Sequence, residues 1–375
     1  MAPRSEPPFR ADHVGSLLRP PALLAARAEH AAGRIDGEQL RAVEDDAVRS
    51  AIALQEEVGL RAVTDGELRR ASWHMDFIYA LGGIDRSDEM AVRSTFQNPG
   101  GTLEFAPPMA VVRSPITLER TIFAEAFEFL AGEVSPGSTP KLTIPSPSMV
   151  HYRGGRSAVS ADTYPEMEVF WSDLAAAYAE EIRRLAELGC TYLQVDDITL
   201  AYVNDPQQRA MLDARGESGD SQHLTYIATL NEALRERPAG LTVTTHTCRG
   251  NFRSSWVASG GYDFIAEALF SELDVDGFFM EFDDERSGGF EPLRFVPKGK
   301  TVVLGLVTTK RGELETKDSI KRRIEEAARF VDIDQLCLSP QCGFSSTSDG
   351  NSITVDEQRA KLRLVVETAA EVWGD

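Results

Sequence analysis

With 375 residues, 42% hydrophobic and 26% charged side chains, the chain has ample apolar material for a core and none of the bias that marks disorder. A formal net charge of −20 with no basic stripe excludes the electrostatics of nucleic-acid binding. No run approaches the ~18 apolar residues of a membrane span and "MAPRSEPPFRADHVGS" has no signal-peptide pattern, so a cytoplasmic protein without a membrane partner is expected.

Taken in order, the chain repeats one unit: an amphipathic helix, a Gly or Asp turn, and a short apolar strand ending in polar residues. "RADHVGS" near the start reads as a first strand, and "ALQEEVGLRAVTDGE" ends in Asp65 and Glu67. Residues 93–118 interrupt the pattern, because "NPGG" sits between β-rich arms, and read as a β-hairpin inserted after the second strand. "KLTIPSPS" (Lys141 to Ser148) is a further strand. The segment Thr163 to Gly189 carries Phe170, Leu174, Tyr178, Ile182 and Leu185 at helical spacing and stops at a glycine. "RRLAELGCTYLQVDD" then ends in Asp196 and Asp197, "LTVTTHTC" in His246 and Cys248, and "LDVDGFFMEFDD" in Glu281, Asp283 and Asp284. "TVVLGLVTT" (Thr301 to Thr309) and "QLCLSPQC", with Cys342 at its end, complete about eight strands.

Strands separated by helices pair in parallel, because each return needs a crossover, and parallel strands covered on both faces read as continuous apolar runs. Eight such units predict a single (β/α)8 barrel over residues 1–375, with its site at the C-terminal strand ends. An open doubly wound sheet is the other reading, and no GxGxxG follows the first strand to support it.

A barrel gathers strand ends. His246, Cys248, Glu281 and Cys342 would then meet as a donor set of the types zinc accepts in tetrahedral geometry, although a lone His-x-Cys is equally compatible with a packed core pair. Ligands scattered over three strands suggest catalysis. Two thiolates and a carboxylate make an electron-rich site, better at holding a substrate thiol as thiolate than at activating water, and the implied reaction is S-alkylation.

The remaining candidates are weaker. "FDDERSGGFEPLRF" (Phe282 to Phe295) reads as a lid or a solvated acidic loop, and Arg249 and Asn251 as support for the ligands. His13 and His74, both near the mouth, read as packing or rim residues, Met75, Phe77 and Tyr79 as an apolar helix face or as pocket lining, and Cys190 and Cys337 as buried, inert thiols. His30, His151 and His223 carry no spacing signal.

At "HTC", Glu281 and "QCG" the sequence resembles the cobalamin-independent methionine synthase family, in particular its short single-barrel members, over nearly the whole chain. The resemblance implies Zn2+ held by His246, Cys248, Glu281 and Cys342. It implies that Val14 and Ser16 in "HVGS" contact the carboxylate of homocysteine, and that Glu67 in "DGE" and Asp196 in "QVDD" grip its ammonium group. For Glu67 and Asp196, a salt bridge to Arg69 or another rim arginine is the alternative. Where the family places a histidine thought to protonate the leaving nitrogen of the donor, this chain has Lys310 in "VTTKRG"; it would act as the acid or pair with Glu281 or Asp283. Where the family stacks a tryptophan on the donor, "SMVHYRGG" offers Tyr152 and Arg153.

The activity implied is a zinc-dependent methyltransferase joining a small-molecule thiol, homocysteine, to a methyl from a folate or another donor, in a chain that would also tolerate homo-oligomer formation. A corrinoid protein or an epoxide-like alkyl donor stays open. Three alternatives remain: a zinc-dependent thiol alkyltransferase using coenzyme M and an epoxide, a zinc-stabilised barrel that only binds a partner, and the metal-free decarboxylase branch of this barrel type.

Overall fold

Apolar runs ending at one edge of a parallel sheet organise the whole structure. The computed structural model describes residues 4–88, 94–106 and 108–374. Its strands in chain order are β1 (Ala62–Val63), β2 (Gly82–Ser87), β3 (Ser94–Asn98), β4 (Gly101–Phe105), β5 (Met109–Thr117), β6 (Thr139–Pro145), β7 (Tyr192–Asp197), β8 (Thr242–Thr247), β9 (Gly277–Glu281), β10 (Thr301–Val307) and β11 (Leu336–Pro340). Seven of them form one curled parallel sheet in the order β1-β6-β7-β8-β9-β10-β11, each strand beside its successor, as right-handed crossover connections favour. Every residue of β7, β9, β10 and β11 is buried, so the apolar runs mark strands covered on both faces.

The helices between them show why the strands return in parallel. Met167–Glu187 precedes β7 and buries Phe170, Leu174, Tyr178, Ile182 and Leu185, the stripe expected from its spacing. It ends where Gly189 takes φ +95°, a left-handed conformation that glycine adopts without penalty. Gln222–Leu234 leads into β8, Ala266–Glu272 into β9 and Lys317–Ala327 into β11. Between β9 and β10 the connection is two 3-10 turns, Glu285–Ser287 and Glu291–Phe295. Phe282, Phe290 and Leu293 of this segment are buried, so the residues read as a lid or a solvated loop are docked on the core.

"RADHVGS" is not a regular strand. It makes one parallel bridge, Ala11 to Leu338, with Asp12 N donating to Leu338 O (3.0 Å) and Leu338 N to Arg10 O (2.8 Å). On its other side His13 Nε2 lies 3.2 Å from Ala62 O, so the segment runs between β11 and β1. Lys141 of β6 fastens it from within, its Nζ 3.1 Å from Asp12 Oδ1, both side chains wholly buried, while the Tyr192 hydroxyl donates to Asp12 Oδ2 (2.8 Å).

The expected hairpin over residues 93–118 resolves differently. β3 and β4 pair antiparallel around Pro99 and Gly100, whereas β5 leaves that ribbon and pairs with β2. In β5 the buried run Met109 to Val112 pairs with Ile84 to Ser87 of β2, and Thr117 returns to Gly82. Arg93 lies outside the described residues. The β3-β4 ribbon docks on a later loop, with Gln97 and Trp256 exchanging backbone hydrogen bonds of 2.7 and 2.9 Å. Among the described residues no helix is long and apolar enough to cross a membrane.

Candidate metal centre

β8 carries His246 near its end with Cys248 two residues on, and the two-residue period of an extended chain points both side chains to one side. Cys342 lies two residues beyond the end of β11. The curl of the sheet brings the three together: their ligating atoms all lie within 4.8 Å of one another, and Cys248 Sγ is 3.3 Å from Cys342 Sγ. Both cysteines are free and buried. Neither ring nitrogen of His246 has a hydrogen-bond partner among the described residues, although the ring is buried. Such orphaned nitrogens cost free energy unless something binds them, and two adjacent thiols supply soft donors beside them. The chemistry of the set therefore fits zinc.

The electrostatics agree. The Cys342 thiol and then burial push the Cys248 thiol well above the ordinary range, so Cys248 stays protonated until a cation arrives. Burial works against charge on His246, but Cys248, Asp196 and Glu281 outweigh it and raise its pKa.

Glu281, the fourth expected ligand, is not in this group of three. It ends β9 and is fully buried, with Oε2 accepting from Arg249 N (2.9 Å) and Oε1 held by Arg286 Nη2 (2.8 Å) and Lys310 Nζ (3.1 Å). Burial alone would raise its pKa; Lys310, Arg286 and Arg249 reverse the effect and hold it below the ordinary carboxylate range. Lys310 thus takes the ion-pairing course, with Asp283 also 4.0 Å away. Burial opposes its charge, but Glu281 and Asp283 prevail and raise its pKa, the opposite of the lowered value expected for an acid. Arg249 supports Glu281 as expected, its guanidinium also donating to the Glu281 carbonyl (2.9 Å), and Asn251 ties this loop to Gly343 O (2.7 Å) beside Cys342. Arg286 escaped sequence reading; its only signal was its place in an acidic run.

On the facing side, Asp196 of β7 sits in register with His246 of β8. Gln194 Nε2 donates to its Oδ1 (2.6 Å), and burial lifts its pKa to about 7. Asp197 instead caps the short helix Thr199–Tyr202, accepting from Thr199 N and Leu200 N. Glu67 has φ 57°, accepts from the Thr143 hydroxyl (2.9 Å) and leaves Oε2 without a partner; burial raises its pKa despite Arg70 and Arg19. Arg69 pairs with Asp45 instead (2.6 Å), and of the arginines named as alternatives it is Arg70 that approaches Glu67, with Nη1 4.0 Å from Oε1. Of the "HVGS" residues, Val14 lends its carbonyl to Gln194 (2.6 Å) and the Ser16 hydroxyl accepts from Ser345 N (3.3 Å).

Val14, Ser16, Glu67, Asp196, His246, Cys248 and Cys342 all line one cavity of about 460 Å³. Glu281 and Lys310 are not among its lining residues. The rest of the lining includes Trp73, His74, Tyr79, Phe96, Phe105, Arg153 and Phe252, with Phe105 stacked on Phe252 at 4.5 Å. His74 and Tyr79 are therefore cavity residues, while His13 is a packing residue whose pKa burial and then Lys141 lower to about 4. Cys190 and Cys337 are buried away from the site, and burial pushes each to about 12.

Residues 9–371 match the family described as cobalamin-independent synthase, catalytic domain. The chain belongs to that family. It is 45% identical to the uncharacterized Bacillus subtilis protein YxjG over 373 residues, covering 99% of this chain and 96% of that protein. A methionine synthase of Pyrococcus abyssi is 24% identical over 337 residues, 88% of this chain and 84% of the relative. A Listeria monocytogenes structure, provisionally named a vitamin-B12 independent methionine synthase, superposes with a TM-score of 0.77 at 34% identity, covering 98% of this chain and 99% of that one. The B12-independent methionine synthase of Shewanella sp. W3-18-1, solved with selenomethionine, shares the fold at a TM-score of 0.71 and 20% identity, with 97% of each chain covered.

Proposed function

We propose that this family member is a zinc-dependent S-methyltransferase whose acceptor is homocysteine, working in a (β/α)8 barrel in which Arg10 to Asp12 fills the eighth position between β11 and β1. The observation that carries the reading is the opening of the His246, Cys248 and Cys342 group onto the same cavity as Glu67 and Asp196. The curated relatives that bear a function support it, the Pyrococcus abyssi protein being a methionine synthase.

Zinc on His246, Cys248 and Cys342, with Glu281 as a fourth donor, would supply a Lewis acid that keeps a substrate thiol as thiolate near neutral pH. The chain's own residues supply the rest. Glu67 and Asp196 receive the acceptor's ammonium group; burial has raised the pKa of both, so an incoming cation restores their charge as it binds. Val14 and Ser16 lie at the same end and take the acceptor's carboxylate. Together they fix the sulfur for in-line attack on a methyl group, which lowers the barrier through positioning.

Lys310 and Arg286 hold Glu281. Were Glu281 to serve as the fourth donor, Lys310 would lose the first of the two carboxylates that raise its pKa and, on reaching into the cavity, would become the better acid for the atom that gives up the methyl group. Lys310→Ala should slow single-turnover methyl transfer roughly 100-fold or more; unchanged turnover would end that role.

Zinc-edge X-ray absorption on loaded protein tests the whole reading. Two sulfurs rising to three on adding homocysteine is the expected result, and a sulfur count that never changes overturns it.

A further inference from the structure

Arg70 and Thr143 are buried and neither lines the cavity, yet both bear on the carboxylate of Glu67, which does. Glu67 sits at φ 57°, a conformation that a residue other than glycine keeps only when its surroundings hold it. Two guanidinium groups hold this turn by its carbonyls. Arg19 Nη2 donates to Glu67 O (3.2 Å) and Arg70 O (3.1 Å), and Arg27 donates to Leu68 O and, at 3.1 Å, to Arg70 O. The turn closes with Arg70 N donating to Glu67 O (3.1 Å), so the backbone of one residue fixes that of the other.

The Arg70 side chain reaches Glu67 indirectly. Its Nη1 donates to the Thr143 hydroxyl (3.0 Å) and its Nη2 to the Thr143 carbonyl (2.8 Å), while the Phe123 ring covers the guanidinium at 4.1 Å. A threonine hydroxyl has one proton, and a guanidinium offers no acceptor for it. The proton therefore goes to Glu67, where Thr143 donates to Oε1 (2.9 Å). One oxygen of Glu67 is thus engaged, and the other, Oε2, is buried without a partner among the described residues. Charge follows the same path: burial raises the Glu67 pKa, and Arg70 opposes it most strongly, ahead of Arg19 and the Thr143 hydroxyl.

The neighbouring chain leaves room for this arrangement. Gly15 of "HVGS" has φ +142°, and a Cβ there would lie 2.8 Å from Thr143 Cγ2 and 3.3 Å from Glu67 Oε1. Thr143 of β6 is in register with Gln194 of β7, which donates to Asp196 Oδ1 (2.6 Å). Each carboxylate of the pair is therefore held on one oxygen by an uncharged donor of the sheet, and behind the Glu67 donor stands Arg70.

We propose that Arg70 is a positioning residue for the acceptor: through Thr143 it fixes one oxygen of Glu67 and presents the other, ionised, to the substrate's ammonium group. It rests on the reading of Glu67 as the partner of that group. Arg70 itself touches no substrate, so a thiol without an amino group gains nothing from it.

The test is calorimetric titration of the full-length, zinc-loaded protein with homocysteine and with 4-mercaptobutanoate, which is homocysteine without its amino group. The parent is expected to favour homocysteine. Arg70→Met should weaken homocysteine roughly tenfold or more, as loss of a charge-assisted hydrogen bond would, and leave 4-mercaptobutanoate within about twofold. Arg70→Lys keeps the charge but not the two-pronged hold on Thr143 and should recover part of the loss. Thr143→Val should weaken homocysteine several-fold and leave the other thiol unaffected. In a Glu67→Gln background Arg70→Met should cost nothing further, because it acts through that carboxylate. Equal weakening of both thiols would make Arg70 a merely structural residue; parental affinity for homocysteine, or an undiminished loss in the Glu67→Gln background, overturns the proposal as well. If Arg70→Met does not fold, Thr143→Val decides by the same outcomes. A parent that binds the two thiols equally removes the ammonium grip and the proposal with it, whereas a parent and an Arg70→Met variant that discriminate equally well remove the proposal alone.

Discussion

Glu67 and Asp196 are buried carboxyl groups with raised pKa values, and neither is matched by a close arginine: the nearest approach is Arg70 Nη1, 4.0 Å from Glu67. Two such groups lining one cavity call for a cationic ligand. Glu67→Gln and Asp196→Asn are each expected to weaken homocysteine binding about tenfold or more, the worth of one charged hydrogen bond, while bound zinc is unchanged. Affinity measured by calorimetry that stays at the parental level in both variants would refute the ammonium grip. Such residues were legible because residue type and strand-end position carry their chemistry. The partners were not. That Glu281 faces Lys310, or that Arg153 Nη1 finds no hydrogen-bond partner among the described residues, depends on side chains brought together by the fold, and no spacing encodes it.

At the scale of elements, strands and helices were readable wherever burial imposes a period. β10 reads "TVVLGLV" because both its faces are covered, and Met167–Glu187 shows its stripe because one face is. The signal failed where pairing is decided by distant chain: β5 joins β2 rather than its neighbour, and the first segment joins the sheet through a single bridge. The same long helix holds a titratable device the sequence did not announce. Glu181 is fully buried there, accepts from Ile122 N (3.0 and 3.1 Å), and burial lifts its pKa from 4.5 to about 7. A raised carboxyl pKa means that the fold prefers the protonated form. Its ionisation therefore costs stability as pH rises from the unfolded value through about 7. Glu181→Gln should stabilise the protein by on the order of 2 kcal/mol at pH 8 and by little at pH 4, where both states are protonated. Urea denaturation at the two pH values decides it, and an equal effect at both would count against the buried neutral acid.

Across the whole molecule, the metal set is carried by strands that hold each other without it. β8 is paired along its length with β7 and β9, and β11 with β10, so the positions of His246, Cys248 and Cys342 follow from the sheet rather than from a local knuckle. The first segment, bridged to β11, adds a buried ion pair from Asp12 to Lys141 of β6, which ties it across the sheet far from the thiols in sequence. A small metal-dependent domain has no such scaffold and unfolds when its ion is removed. Here chelation is expected to abolish methyl transfer and to lower the melting temperature by several degrees, because a ligand that binds only the folded state stabilises it by mass action. The far-UV circular dichroism at 25 °C should stay unchanged, and activity should return when zinc is restored. Collapse of the helical signal on chelation would show instead that the three ligands hold the sheet together, and would move the centre from catalysis to structure.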